Sequence, residues 1–351
     1  MKILFSSYAF EPSVGGIESV SKILAQKFAA AGEQIHVITE SPGDAIPSAN
    51  YRLTRRPSVT EIFRLLGWCD LFFQNNISLR SLIPALLVRQ PTLVVHQTWL
   101  QNVRGGIGWQ NRLKQALLRL VTNVAISQAI RDHIARLRKN GPARGAPALQ
   151  FPVSVIGNPY DDAVFHSVPN IARDHAIVFV GRLVSDKGVD LLLSALEILR
   201  HDGLSPGLTI VGSGPDENTL RRLTTELGLD RQVTFAGQKS GAALAETFNQ
   251  HRILAVPSRW AEPFGVVALE GIACGCVVVG SQDGGLKEAI GPCGLTFENG
   301  NVAALAAQLK RLLGDNQLQE KLRQRAPEHL GRFQSDAVVA SYLSMLKKIV
   351  A

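Results

Sequence analysis

Short runs of consecutive apolar residues alternate with stretches of helical spacing along this chain, and Gly-rich turns punctuate the joins. Lys2–Ser6 reads as a buried strand, the loop YAFEPSVGG follows, and apolar positions at helical spacing predict a helix over about 17–31 that Gly32 ends. QIHVITE is the next strand, and the runs 69–74 and 92–96 read as short buried strands. Leu113, Leu117, Leu118, Leu120 and Val121 fall at helical spacing within the segment 102–145. VSVIGNPYD leads into a polar, Pro-containing linker at 161–174, and AIVFVGRLVSDKGVDLLLSAL begins a second series. LTIVGSGP and VTFAGQKS are further strand-and-turn units. Then come a strand at 253–257, a polar loop at 258–263, a small-residue helix over about 265–273 and a buried strand at 276–280. Residues 295–297 read as a strand, 303–314 and 317–333 as two helical stretches, and 335–350 as a last helix.

Alternating buried strands and helices predict an α/β protein with parallel sheets, in two Rossmann-like domains. The expected division is 1–165 and 170–334, with a last helix over 335–351. No solenoid-type repeat is visible. In parallel sheets of this kind ligands sit beyond the carboxyl ends of the strands, which places the loop from Ser258 to Gly265 in a site.

Composition narrows the class. The hydrophobic content of 46% in 351 residues supports sizeable cores and argues against disorder. Met1 leads straight into a strand without a basic segment and a long apolar run, so neither a signal peptide nor a membrane span is expected. Four scattered cysteines read as reduced thiols in a cytoplasmic protein. The net charge of +8 is uneven: through Gly157 there are 18 Lys+Arg against 8 Asp+Glu, and beyond it 19 against 21. Such asymmetry points to an anionic partner for the first part.

The chemistry concentrates in RILAVPSRWAEPFGVVALEGIACG. Glu262 precedes a helix start and Glu270 lies inside that helix, among apolar residues where a carboxylate is costly without a partner. Free N–H groups near Phe264, Gly265 and Val266 offer an anion site. This suits a polyhydroxyl, anionic ligand. The plain alternatives are a helix-start acid and a solvated one. Upstream, Gly181-Arg182 ends a strand and Lys187-Gly188 opens a helix, two cations placed to clamp a diphosphate. Gly212-x-Gly214 invites a nicotinamide reading, but the third glycine is missing. Gly15-Gly16 at a helix start and His96 at a strand's carboxyl end fall in the same kind of position, with a helix-entry turn and a structural histidine as alternatives. There is no Asp-x-Asp motif to hold a metal.

Pro-Ser-Arg-x-x-Glu-Pro-Phe-Gly-x-x-x-x-Glu-x-x-Ala-x-Gly resembles the signature of the retaining, nucleotide-sugar-dependent glycosyltransferases of family 4, which have the GT-B fold of two Rossmann-like domains facing across a cleft. The resemblance is strong over the C-terminal half and rests in the N-terminal half on Gly15, Gly16 and His96. It implies that Glu262 contacts the donor sugar and that Glu270 holds the ribose. Backbone groups of Phe264, Gly265 and Val266 would touch sugar and diphosphate, and Arg182 and Lys187 would stabilise the departing diphosphate. Gly181, Gly212 and Gly214 would lie near the nucleotide, and Gln238 and Lys239 near the base. Gly15-Gly16 would face the diphosphate or sugar, and His96 the sugar and reacting centre. Asn158 falls on the family's linker asparagine, although Pro159 replaces the usual small residue. The implied donor is a UDP- or GDP-linked sugar, with no cofactor and no metal.

The segment 102–145 is the most basic, with Arg112, Lys114, Arg119, Arg136, Arg138 and Lys139 interleaved with leucines. It fits either an anionic membrane surface or a solvated face over packed apolar residues. Nucleic acid is disfavoured because aromatic interleaving is absent. Three functions are thus open. One is transfer to a lipid-linked or cell-envelope acceptor by an enzyme peripheral to the membrane. Another is transfer to a soluble small molecule, and the third is non-catalytic binding of a nucleotide sugar.

Overall fold

The computed structural model describes residues 1–12, 15–43, 50–100, 108–139 and 152–350. It forms two compact units, Met1–Pro159 with Gln334–Ala351, and Tyr160–Phe333.

The first unit holds a seven-stranded sheet of β1 (Lys2–Ser7), β2 (Gln34–Thr39), β3 (Arg52–Arg55), β4 (Leu71–Asn75), β5 (Thr92–His96), β6 (Thr122–Ala125) and β7 (Val153–Val155). The order is β3-β2-β1-β4-β5-β6-β7 and every pairing is parallel. Its helices are α1 (Gly16–Ala30), α2 (Val59–Leu66), α3 (Leu79–Leu87), α4 (Trp109–Leu117) and α5 (Gln128–Lys139). The second unit holds β8 (His175–Val180), β9 (Leu208–Val211), β10 (Val233–Phe235), β11 (His251–Val256), β12 (Val277–Ser281) and β13 (Gly294–Phe297). Their order is β10-β9-β8-β11-β12-β13, again all parallel. Around it lie α6 (Val189–His201), α7 (Glu217–Glu226), α8 (Gly241–Gln250), α9 (Val266–Ala273), α10 (Leu286–Ile290), α11 (Val302–Gly314), α12 (Asn316–Arg323) and α13 (Ala326–Gly331). The last helix, α14 (Ser335–Val350), packs on α1: Tyr342 meets Phe28 edge-on, and Lys27 pairs with Asp336 at 2.7 Å.

These are the two Rossmann-like sheets of an α/β protein. Central strands such as β4, β5 and β12 are buried along their whole length, which is why they read as unbroken apolar runs rather than alternating ones. Each sheet reverses direction once, between β1 and β4 and between β8 and β11. Ligands in such sheets bind at those switch points.

The chain departs from the pattern-based expectation in three places. β3 carries two arginines in four residues and is only half-buried, so it gives no apolar run. The helical spacing across 113–121 stops at Leu120: Val121 is extended, with φ −135°, and β6 follows in four residues. The stretch 317–333 is two helices, because Pro327 has no N–H and belongs in the first turn of a new helix, α13.

Candidate functional site

The second unit's site is built from loops at the carboxyl ends of β8, β9, β11 and β12. After β8 the chain passes Gly181 and exposed Arg182, makes one turn of 3-10 helix at Ser185–Lys187, and enters α6 through Gly188. Gly188 has φ 68°, a left-handed conformation, and a side chain there would collide with the Pro257 carbonyl. That close approach lays the β8 turn against the loop after β11. Arg259 completes the join: its guanidinium makes two bonds of 2.5 Å to the Asp190 carboxylate, and its backbone N–H donates to the Asp186 carbonyl at 2.8 Å.

This seam brings Lys187 and Glu262 together. Lys187 Nζ donates to Glu262 Oε1 at 2.5 Å, and Ser258 Oγ donates to the same oxygen at 2.8 Å. Both ionic side chains keep some exposure, 26% for Lys187 and 14% for Glu262, so a ligand can reach them. Arg182 carries no ion pair among the described residues. The Glu262 carbonyl accepts the Gly285 N–H at 2.7 Å, which fixes its loop against the turn after β12.

Phe264 buries its ring against Phe333, so only its backbone is available to a ligand. Gly265, at φ 110°, starts α9, and a side chain there would strike Leu286. In the first turn of α9 the Ala268 N–H donates to the Gly265 carbonyl at 3.0 Å, which leaves the Val266 and Val267 N–H groups without a partner inside the helix. Glu270 lies one turn further along and is half-buried. Burial first, and then the neighbouring Asp161 charge, push it up to about 7. No described side chain donates a hydrogen bond to it.

Gly212 and Gly214 cross over the β8 turn. Gly212 N–H donates to the Gly237 carbonyl at 2.8 Å, and side chains at the two glycines would collide with the Gly181 and Leu183 carbonyls. Beyond Gly237, Gln238 is exposed, while Lys239 is half-buried and donates to Thr247 Oγ1 at 2.9 Å.

In the first unit Gly15 and Gly16 open α1. His96 ends β5 and is fully buried. Asn123 uses its amide N–H groups on the Leu118 and Val121 carbonyls, so its Oδ1 accepts from His96 Nε2 at 3.0 Å. Nε2 therefore carries a proton, and burial, reinforced by nearby His133, holds the ring down to about 4 against the opposing pull of that hydrogen bond, so it is neutral at pH 7. Asn158 is buried and exchanges two amide hydrogen bonds with Gln97, of 2.8 and 3.0 Å.

The basic residues divide. Arg112, Arg119 and Arg136 are exposed, while Lys114 is half-buried and burial lowers its pKa. Arg138 and Lys139 end α5, and their side chains lie outside the described residues, as do Arg104 and Arg144 of the same basic segment. Trp109 and Leu120 of the same segment are exposed. Among the described residues no helix is long and apolar enough to cross a membrane, and no His/Cys/Asp/Glu group could hold a metal. All four cysteines are unpaired and buried.

Sequence reading missed the partners. Ser258 and Arg259 stand inside the motif, but Asp190 in the first turn of α6, Ser281 at the end of β12 and Asn299 after β13, which hold that loop, are distant in sequence. Nothing in their local sequence sets them apart.

Comparison with known proteins fits this geometry. Residues 163–329 match the family model described as Glycosyl transferases group 1. A D-inositol 3-phosphate glycosyltransferase of Salinispora arenicola is 35% identical over 190 residues, 51% of this chain and 42% of that protein. An uncharacterized glycosyltransferase of Methanocaldococcus jannaschii is 41% identical over 116 residues, 32% of this chain and 29% of that one. The chain thus spans less than half the length of the curated relatives it matches. Whole-chain likeness comes from solved structures. Anabaena HepE in complex with UDP and glucose has a TM-score of 0.80 at 21% identity, covering 99% of this chain and 100% of that one. Sucrose-phosphate synthase of Thermosynechococcus elongatus has 0.79 at 22% identity, covering 99% and 98%. At such identities the likeness establishes the fold, that of the GT-B glycosyltransferases. The second unit carries a glycosyl transferases group 1 domain.

Proposed function

We propose that this protein transfers a glycosyl group from a nucleoside-diphosphate sugar to an acceptor hydroxyl, with retention of configuration and without a metal. The observation that carries the reading is the Lys187–Glu262 pair at the switch point of the second sheet, with Arg182 on the turn after β8 and the α9 N-terminus just after Glu262 in the chain. Arg182 and Lys187 receive the diphosphate, with the first-turn amides of α9 beside them. Glu262 accepts hydrogen bonds from hydroxyls of the transferred sugar. Glu270 accepts from the ribose, which relieves an otherwise unpartnered carboxylate.

In the reaction the bond from the anomeric carbon to the diphosphate oxygen breaks. The acceptor oxygen bonds to the same face of that carbon, and its proton passes to the departing diphosphate. Negative charge grows on the diphosphate as it leaves, and preorganised cations stabilise it most at that moment. Support for a nucleotide sugar comes from the UDP and glucose bound by the Anabaena neighbour. Family 4 membership and retention rest on the motif.

The acceptor is assigned to the first unit, which carries 20 Lys+Arg against 9 Asp+Glu, while the second carries 17 against 20. A lipid-linked or cell-envelope precursor at an anionic bilayer suits that charge. A soluble acceptor is the second reading, favoured by the inositol phosphate named for the Salinispora relative. Thermal-shift screening of UDP- and GDP-sugars tests the donor assignment: one nucleotide sugar should raise the melting temperature by mass action. A chain stabilised by none of them would refute it.

A further inference from the structure

Glu262 hangs from a loop without regular structure, yet its carboxylate is held from several sides. Ser258 is 1% exposed, and its hydroxyl donates to Glu262 Oε1 at 2.8 Å. Ser258 is itself gripped. Its carbonyl accepts from Ser281 Oγ at 2.7 Å and from Asn299 Nδ2 at 3.2 Å. Asn299 Oδ1 in turn accepts the Asp283 N–H at 3.0 Å. Ser258, Ser281 and Asn299 lie at the carboxyl ends of the adjacent strands β11, β12 and β13, so three strand ends converge on one serine.

Lys187 alone cannot orient the carboxylate, because an ammonium is a point charge on a flexible stem. A serine hydroxyl has one proton on a short stem, and this one is immobilised. Since Lys187 and Ser258 both donate to Oε1, Glu262 Oε2 is left as the open acceptor. A second consequence concerns Lys187. Moving it from Glu262 to a diphosphate would leave a mostly buried carboxylate uncompensated, which is costly. The Ser258 hydroxyl keeps Oε1 partnered through that move.

We propose that Ser258 is a positioning residue that fixes the Glu262 carboxylate, holding Oε2 toward hydroxyls of the transferred sugar and freeing Lys187 for the diphosphate. This rests on the donor-site reading above. The test uses the full chain and its Ser258→Ala and Ser258→Thr variants, with the UDP- or GDP-sugar that the wild type turns over fastest. Turnover is followed by release of UDP or GDP, and affinity for that free diphosphate by calorimetry. Loss of one hydrogen bond to a charged group should lower kcat of Ser258→Ala about ten- to a hundredfold. Affinity for the free diphosphate should fall clearly less than kcat does, because Lys187 leaves Glu262 less readily while the other nucleotide contacts are untouched. Ser258→Thr, which keeps the hydroxyl, should recover most of the turnover. Unchanged kcat in Ser258→Ala, or equal losses of turnover and diphosphate affinity, would overturn the positioning role alone. Failure of threonine to recover turnover would do the same. A wild type that neither binds nor turns over any nucleotide sugar would overturn the donor reading, and this proposal with it.

Discussion

The Lys187 ammonium and the Glu262 carboxylate meet at 2.5 Å, although they come from loops that follow different strands, β8 and β11. They sit at the switch point where those strands part. The pair joins the group proposed to bind diphosphate to the group proposed to bind sugar. Replacing Lys187 by alanine should therefore affect both. Turnover should fall by an amount equivalent to about 2.7–4 kcal/mol of barrier, the scale for losing one charge-stabilising donor. Steady-state kinetics on the variant check this, and near-normal turnover would remove Lys187 from the diphosphate clamp.

Glu270 gives a prediction in pH. Its folded pKa is raised from 4.5 to about 7 by burial and by Asp161. The folded chain therefore holds this proton more tightly than the unfolded chain. The stability so gained is complete below pH 4.5 and is lost as pH rises through about 7. At pH 8 the penalty is roughly 3 kcal/mol as an upper figure. Glu270→Gln should raise the melting temperature at pH 8 and leave it nearly unchanged at pH 4. The same variant should bind the nucleoside diphosphate more weakly, because the ribose loses a charged acceptor. Melting curves at the two pH values and calorimetry decide it; an equal effect at both pH values would contradict the buried-acid account.

Metal chelation gives a third outcome. In the proposed reaction Arg182 and Lys187 take the role that a divalent ion fills in other diphosphate sites. Turnover measured in excess EDTA should match turnover without it. Full loss of activity, restored by Mg²⁺, would mean that the cations alone do not stabilise the leaving group.

How far the sequence foretells this site differs from residue to residue. Glu262, Glu270, Arg182 and Lys187 could be singled out because charged groups beside glycine turns at strand ends stand out against apolar runs. The strands themselves were legible within a residue or two: 253–257 against His251–Val256, and 276–280 against Val277–Ser281. Ser258's hydroxyl contact, the Arg259–Asp190 pair and the Asn299 bridge were not legible. They depend on which strand ends become neighbours, and that follows from sheet order rather than from local pattern. The Asn123 partner of His96 was hidden for the same reason, since it reaches the ring only through the β5–β6 pairing. β3 and β6, four residues each, are too short for periodicity to separate from their surroundings.

The last prediction concerns an anionic surface. Arg112, Arg119 and Arg136 are exposed on the first unit, and Trp109 and Leu120 stand 72% and 66% exposed near them in sequence. Each cation near an anionic bilayer contributes roughly 1 kcal/mol, and an indole is at home in the headgroup region. On that scale three such arginines with one tryptophan would give reversible rather than permanent attachment. Binding between exposed charges weakens as salt shortens the Debye length. The protein should therefore sediment with phosphatidylglycerol vesicles at low salt, leave them at about 0.5 M salt, and ignore neutral phosphatidylcholine vesicles. Reversing the three arginines to glutamate should abolish sedimentation while leaving nucleoside diphosphate affinity intact, because that affinity belongs to the second unit. Trp109→Ala should weaken sedimentation most at intermediate salt, where insertion of the ring makes up for screened charge. If the wild type stays in the supernatant with phosphatidylglycerol at low salt, the positive excess of the first unit serves something other than a bilayer. The soluble phosphorylated acceptor then becomes the better reading, since a phosphate would draw on the same charge.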